Sequence, residues 1–215
     1  MGAKLVAGSA YGKGSGGAKA CALFRAASRL SNSRGGIALI GMTDTVRLPN
    51  PLRALDALPA GSALVWRAYG AGTDAADFRR LAARARAKKC LLLIAGEPKL
   101  CRRLGAGGLH LPERLLGRHH GAGLGATTAA AHSEAAIHAA ARAGAAAVLI
   151  SPVFPTASHP GTATLGIVRF AKLARLARAL GLAPYALGGI ITGAHIRRLT
   201  GTGAAGVAGL GFLLD

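Results

Sequence analysis

The chain has 215 residues, 51% of them hydrophobic but only 4% aromatic, so it can fill one sizeable core, mostly with alanine and small aliphatic side chains. No apolar run is long enough to span a membrane, and three cysteines without Cys-x-x-Cys spacing argue against a disulfide framework or a zinc site, with a reducing, cytoplasmic setting as the default expectation. The net charge of +19, from 27 Lys and Arg against 8 Asp and Glu, is read mainly as an arginine-rich solvated surface that also draws in anionic ligands.

Residues 1–35 hold Lys4, Lys13, Lys19, Arg25, Arg29 and Arg34 with no acid, and a Gly/Ser-rich run covers 12–17. They read as a basic, flexible extension carrying a short amphipathic helix over 18–30. A transit peptide has a similar composition, but an extension with no address is the simpler reading. From residue 36 to 215, strand and helix alternate. Strands are expected at 37–43, 63–67, 90–95, 108–111, 123–128, 146–151, 184–187 and 206–210. Helices are expected from the cap Thr73 to about 89, then at 98–104, from Ser133 to Gly144, at 167–180 with Gly181 as the stop, and at 192–199. About eight such units in this length predict a parallel sheet closed into a (β/α)8 TIM barrel, with an open doubly wound sheet as the alternative. No Gly-x-Gly-x-x-Gly follows the first strand, which counts against a dinucleotide fold. The arginines of the helix ending near 89 (Arg79, Arg80, Arg84 and Arg86) spread around it without interleaved aromatics, so nucleic acid is not expected as a partner.

In a barrel, site residues lie just past the strand ends. Those positions hold Thr43, Asp44, Arg67, Tyr69, Glu97, His110, Thr127, Thr128, Ser151, Gly188, Gly189, Gly209 and Gly211. Two segments stand out. Leu149-Ile150-Ser151-Pro152-Val153-Phe154-Pro155-Thr156 runs from an apolar strand into turn chemistry, and Ala186-Leu187-Gly188-Gly189-Ile190 ends in paired glycines. With Gly209 and Gly211 ending the last strand, Gly188 and Gly189 suit a phosphate approached by backbone amides after strands seven and eight. Arg67 ends an apolar strand and must find an anion; a ligand and Asp44 are equally good candidates. His132 directly precedes a helix near the mouth, either as a polar loop residue or as a proton carrier. The loop 155–161 offers Thr156, Ser158 and His159 as ligand contacts or as ordinary turn residues. His110 reads as a hydrogen-bonded core residue, and Cys90 as core.

Taken in order, Met42-Thr43-Asp44 with Arg47, Arg67, Gly105-Ala106-Gly107-Gly108-Leu109-His110-Leu111, Ala131-His132-Ser133-Glu134, residues 151–156, 186–190 and 203–208 resemble the thiamine-phosphate synthase superfamily of (β/α)8 barrels, which includes the thiazole tautomerases. The resemblance covers residues 36–214. The synthases join a hydroxymethylpyrimidine diphosphate to a thiazole phosphate, and their pattern places Asn-Asp after strand three and an Asp five residues after the strand-four His to hold magnesium. Here those positions are Ala95, Gly96 and Leu115, which carry no oxygen ligand for a hard cation. The family's Thr-x-Thr-Lys run becomes Thr156-Ala157-Ser158-His159, and its Gln-x-Arg-x-Lys becomes Val65-Trp66-Arg67-Ala68-Tyr69. The diphosphate half of the pattern is eroded while the glycine-lined thiazole-phosphate half is kept. The resemblance therefore implies the tautomerase branch, with His132 as its catalytic histidine, Arg67, Thr156, Ser158, His159, Gly188, Gly189, Gly209 and Gly211 around a phosphorylated thiazole, and no metal ligands. No cofactor is expected on this reading. The alternatives are a synthase with magnesium held by other residues such as Asp44 or Glu97, and a non-catalytic anion-binding protein using the basic extension. Exposed barrel helices are compatible with a homo-oligomer.

Overall fold

The computed structural model describes residues 17–30, 36–67, 74–117, 123–156 and 161–214. Eight parallel strands, β1 (Leu39–Met42), β2 (Ala63–Trp66), β3 (Leu91–Ala95), β4 (Gly108–Leu111), β5 (Ala126–Ala131), β6 (Ala147–Ile150), β7 (Ala183–Leu187) and β8 (Gly206–Gly209), pair in sequential order. The sheet closes where Leu39 aligns with Val207 and Gly41 with Gly209. The expected barrel is present, and the open sheet is excluded.

Strand alternation divides the core in two. Ile40, Met42, Val65, Leu93, Leu149 and Tyr185 fill the lumen. Leu39, Leu64, Ile94, Leu109, Val148 and Val207 point outward against the helices. Two glycines make room inside: a Cβ on Gly108 would run into Leu93, and one on Gly206 would lie 2.8 Å from the Tyr185 ring. Tyr185 is buried and donates its hydroxyl to Ile37 O at 2.7 Å; burial pushes its phenol above the ordinary range.

The helices are α1 (Ala18–Ala27), α2 (Pro51–Ala57), α3 (Ala75–Ala87), α4 (Pro98–Leu104), α5 (Glu134–Arg142), α6 (Gly166–Ala179) and α7 (Gly193–Arg198). Their starts follow local chemistry. Asn50 Oδ1 accepts from Leu52 N at 2.9 Å ahead of Pro51, a capping signal for α2 that the hydrophobic periodicity of so short a helix did not give. Asp74 caps α3 through Ala76 N at 3.0 Å, in the role expected of Thr73, which lies outside the described residues. Ser133 caps α5 and Thr192 caps α7. After β4 the described residues form a 3-10 turn, Glu113–Leu115.

Two expectations change. β5 lies three residues later than expected, because Gly123 and Gly125 adopt positive φ (78° and 71°) and belong to the turn. Alanines 129–131 then complete the strand: they have little intrinsic preference for one, and burial between neighbouring strands decides. Thr127 and Thr128 are thus buried mid-strand, and His132 takes the strand-end position. The second change concerns the extension. The helix expected there forms, but it is part of the barrel wall: Ala20, Leu23, Phe24 and Ala27 belong to the outer core, packed beside α7 and β1. Gly17 N donates to Ala57 O at 2.9 Å at the end of α2, so α1 fills the outer ring between α7 and α2.

Candidate active site

The carboxyl ends of the strands gather the polar residues of the lumen. On β5 and its neighbours, alternation sends Thr128 and His110 inward below the mouth and His132 to its rim. His110 is fully buried, with Nδ1 at 2.8 Å from Thr128 Oγ1. Burial, reinforced by the nearby Arg67 charge, lowers its pKa to about 4, so it stays neutral at physiological pH. It is a core residue, as its sequence context indicates.

His132 is oriented from three sides. Its Nδ1 lies 2.7 Å from the carbonyl oxygen of Ser151 and 3.2 Å from the Ser151 hydroxyl. A carbonyl only accepts, so Nδ1 carries the proton and the neutral ring keeps its lone pair on Nε2. Its backbone N–H donates to Glu113 Oε2 at 2.9 Å, and Nε2 lies 3.7 Å from the same oxygen. The side chain is 53% exposed, so a ligand in the mouth can reach it. Ser133, next in the chain, caps α5 and fixes the backbone direction from which the ring projects. Glu113 is the neighbour of His132 that the sequence did not single out. Its signal was its place three residues past the strand-four His110 in a chain with few acids.

Across the mouth, Arg67 meets Asp44. Arg67 donates Nε to Thr43 O at 2.5 Å and Nη2 to Asp44 Oδ2 at 3.2 Å, while its backbone N–H reaches Thr43 Oγ1 at 2.8 Å. Of the two partners left open for Arg67, the described residues contain the ion pair. Asp44 also accepts from the amides of Arg47 (2.9 Å) and Val46 (3.1 Å) and pairs with the Arg47 side chain at 3.4 Å; these bonds hold its carboxyl below the usual range despite some desolvation. Two arginines on one carboxylate leave this side of the mouth with a net positive charge.

The four glycines sit where the third side closes. Gly188 (φ 100°) and Gly189 (φ 69°) pass under the β6–α6 loop: a Cβ on Gly188 would lie 3.0 Å from Pro152 Cα, and one on Gly189 would strike Phe154 Cβ at 2.7 Å and the Pro155 carbonyl. A Cβ on Gly209 would meet the Phe212 ring at 3.0 Å, and one on Gly211 would meet Ile191 Cγ2 at 2.9 Å. Each glycine thus has a packing cause. The amides of Gly188, Gly189, Leu210 and Gly211 also have no acceptor among the described residues, so they remain donors for a bound anion. Lys19 of α1 donates to Gly211 O at 3.0 Å and tethers this loop to the N-terminal helix. Thr156 is half-buried within the β6–α6 loop; Ser158 and His159 lie outside the described residues, as does Tyr69.

The described residues at the positions that hold magnesium in the synthase pattern offer no oxygen ligand for a diphosphate-bound ion. Ala95 is buried on β3, Gly96 and Leu115 offer no side-chain oxygen, and among the described residues no three His, Cys, Asp or Glu side chains group as ion ligands. Asp44 is taken by two arginines, and Glu97 is exposed at the start of α4. No helix among the described residues is long and apolar enough to cross a membrane.

Against known proteins, the model of the thiamine monophosphate synthase family matches residues 53–212. The barrel is similar to a thiamine phosphate pyrophosphorylase from Pyrococcus furiosus, with a TM-score of 0.59 and 19% identity over 80% of this chain and 84% of that one. It is also similar to a KDPGal structure (TM-score 0.59, 18% identity, 84% and 85% covered) and to an HpcH/HpaI aldolase from Desulfitobacterium hafniense DCB-2 (0.56, 14%, 81% and 86%). At such identities these likenesses establish the barrel alone. No curated protein sequence matches the chain.

Proposed function

The chain belongs to the thiamine monophosphate synthase family, and within it we propose a cytoplasmic proton-transfer enzyme that isomerises a phosphorylated thiazole, as thiazole tautomerases do. The observation that carries this reading is His132. Its Nδ1–H is bound to Ser151 O, and its basic Nε2 is presented to the mouth beside Glu113. The acid positions that serve magnesium in the synthase pattern are Ala95, Gly96 and Leu115.

On this reading the amides of Gly188, Gly189, Leu210 and Gly211 hold the substrate phosphate, with Thr156 of the β6–α6 loop as a further contact. Arg67 and Arg47, only partly neutralised by Asp44, face the other end of an anionic substrate. Nε2 of His132 takes a proton from one ring position, and the resulting imidazolium returns it to another. The Ser151 carbonyl stabilises the positive ring through Nδ1–H, and the Glu113 carboxylate faces Nε2 while it is charged. No proton or electron is consumed overall, so the step needs no co-reactant.

The test is isomerisation of a thiazole carboxylate phosphate followed by ultraviolet absorbance. His132→Ala should lower turnover by at least 10²-fold, within the usual range for removing a general base, and leave KM within about threefold. Unchanged turnover in that variant would refute the assignment. A second reading, synthesis of thiamine phosphate, is favoured by the description of the matching family and by the likeness to a pyrophosphorylase. Magnesium-dependent product at enzymic rates from hydroxymethylpyrimidine diphosphate and thiazole phosphate would establish it and overturn the first.

A further inference from the structure

The charge of this protein is unevenly placed around the ring of helices. Its eight acids are Asp44, Asp56, Asp74, Asp77, Glu97, Glu113, Glu134 and Asp215, so none precedes residue 44 and none stands between 135 and 214. In sequence these are two separate stretches. The fold brings α1 of the first beside α6 and α7 of the second, because α1 packs on α7, and the turn after α7 rests on α6, where Arg178 Nε donates to Gly203 O at 2.5 Å.

We propose that this outer face, formed by α6, α7 and α1, binds duplex nucleic acid through its phosphate backbone. Arg25 of α1, Arg169 and Arg175 of α6, and Arg197 of α7 are all exposed, and none has a carboxylate at ion-pair distance among the described residues. The face is bounded by the Lys172–Glu134 pair (3.0 Å) where α6 meets α5. The opposite side of the barrel differs. There Asp56 pairs with Arg84 at 2.8 Å and Asp77 with Arg80 at 3.8 Å, so the arginine-rich α3 is partly neutralised. The expectation that nucleic acid is not a partner was drawn from α3, and it does not describe the face of α6, α7 and α1.

The chemistry selects a backbone-reading, duplex-preferring mode. Basic residues recur every third position on α6 (Arg169, Lys172, Arg175, Arg178), a spacing of about 5–6 Å between neighbours. Adjacent helices lie about 8–10 Å apart, so three of them present charge across about 20 Å. No aromatic side chain is exposed among the described residues, which removes the stacking platform that single strands use. Val168, the one strongly exposed apolar residue on α6, is flanked by Arg169 and forms no continuous apolar edge for insertion into a lipid surface.

The test uses the full chain and a fluorescent mixed-sequence duplex of about 20 base pairs, with anisotropy read between 50 and 200 mM salt. If about five phosphates are neutralised, the log–log salt slope is about −4.5, a loss of several hundredfold over that range. The triple variant Arg169→Gln, Arg175→Gln, Arg197→Gln should reduce the slope by about 2.7 and weaken binding at 50 mM at least tenfold. The charge-matched control Arg79→Gln, Arg80→Gln, Arg86→Gln should change the slope by less than about 1. Equal losses in the two variants would show only a net-charge effect and overturn the proposal. So would absence of wild-type binding at 50 mM, or anionic phospholipid vesicles displacing the duplex at equal phosphate concentration. Because the wild-type slope is itself a measurement, a variant that fails to fold does not shield the idea. None of these readouts uses the barrel mouth, so the result stands apart from the isomerase reading.

Discussion

Leu23→Ala separates a basic extension from a helix that completes the barrel. Leu23 is 2% exposed and lies in the outer core with Ala20, Phe24 and Ala27. Removing three carbons of a buried leucine costs about 2–5 kcal/mol, more where the surroundings cannot collapse into the cavity. α1 packs on one side only and can settle inward, which places the cost near the lower end, about 2.5 kcal/mol. With an urea m-value of about 3 kcal/mol/M, at the upper end of the range for small proteins, the midpoint should fall by about 0.8 M. Ala22→Ser, at an exposed position of the same helix, is the control and should stay within about 0.5 kcal/mol of wild type. The assay is equilibrium urea unfolding of both variants, followed by far-ultraviolet circular dichroism. A loss below about 0.5 kcal/mol for Leu23→Ala would refute the packing argument, since it is the result expected if α1 were a ten-residue helix on an independent arm, marginal by itself. The Lys19 bond to Gly211 O adds a functional consequence: loosening α1 should also weaken affinity for a phosphate at the β8 loop.

Other outcomes follow from the same geometry. Glu113→Gln keeps an acceptor for the His132 N–H but removes the charge 3.7 Å from Nε2; in this half-exposed setting that charge contributes about 1 kcal/mol, so kcat of the isomerisation should fall about fivefold with KM unchanged, and an unaltered kcat would remove Glu113 from the site. His110 makes stability pH-dependent. Its folded pKa of about 4 lies below that of the unfolded chain, so as the pH falls from 6.5 toward 4 the unfolded state binds a proton the folded state refuses, and about 3 kcal/mol of stability is lost. Urea titrations at pH 7, 5.5 and 4.5 should show that loss in wild type, and a His110→Gln variant should lack most of it. Gly189→Ala places a Cβ against Pro155 O and Phe154 at positive φ, a backbone cost of about 1–2 kcal/mol before the clash, and should displace the β6–α6 loop; wild-type stability in this variant would contradict the close approach.

Most of the fold was legible along the chain. Apolar runs of strand length, separated by capped helices and glycine stops, specify alternating units, and about eight of them in this length favour a barrel; the β1–β8 pairing then decides against the open sheet. His132 was singled out by the resemblance of Ala131-His132-Ser133-Glu134 to the family pattern; its residue context alone left it a polar loop histidine or a proton carrier, and the strand-end position came from the structure. What was not legible depended on partners distant in the chain. β5 was misplaced by three residues because alanines 129–131 become a strand only through burial against β4 and β6. Arg67 had two equally good partners until the β1–β2 register set it beside Asp44, 23 residues earlier. Glu113 acquires a role only because strands four and five align, bringing it to His132 across 19 residues. The basic face exists only because α1 packs beside α7. Local propensity and burial pattern act over a few residues and so are written in the sequence, whereas side-chain pairing and surface charge depend on barrel closure, which brings together groups that chain order leaves apart.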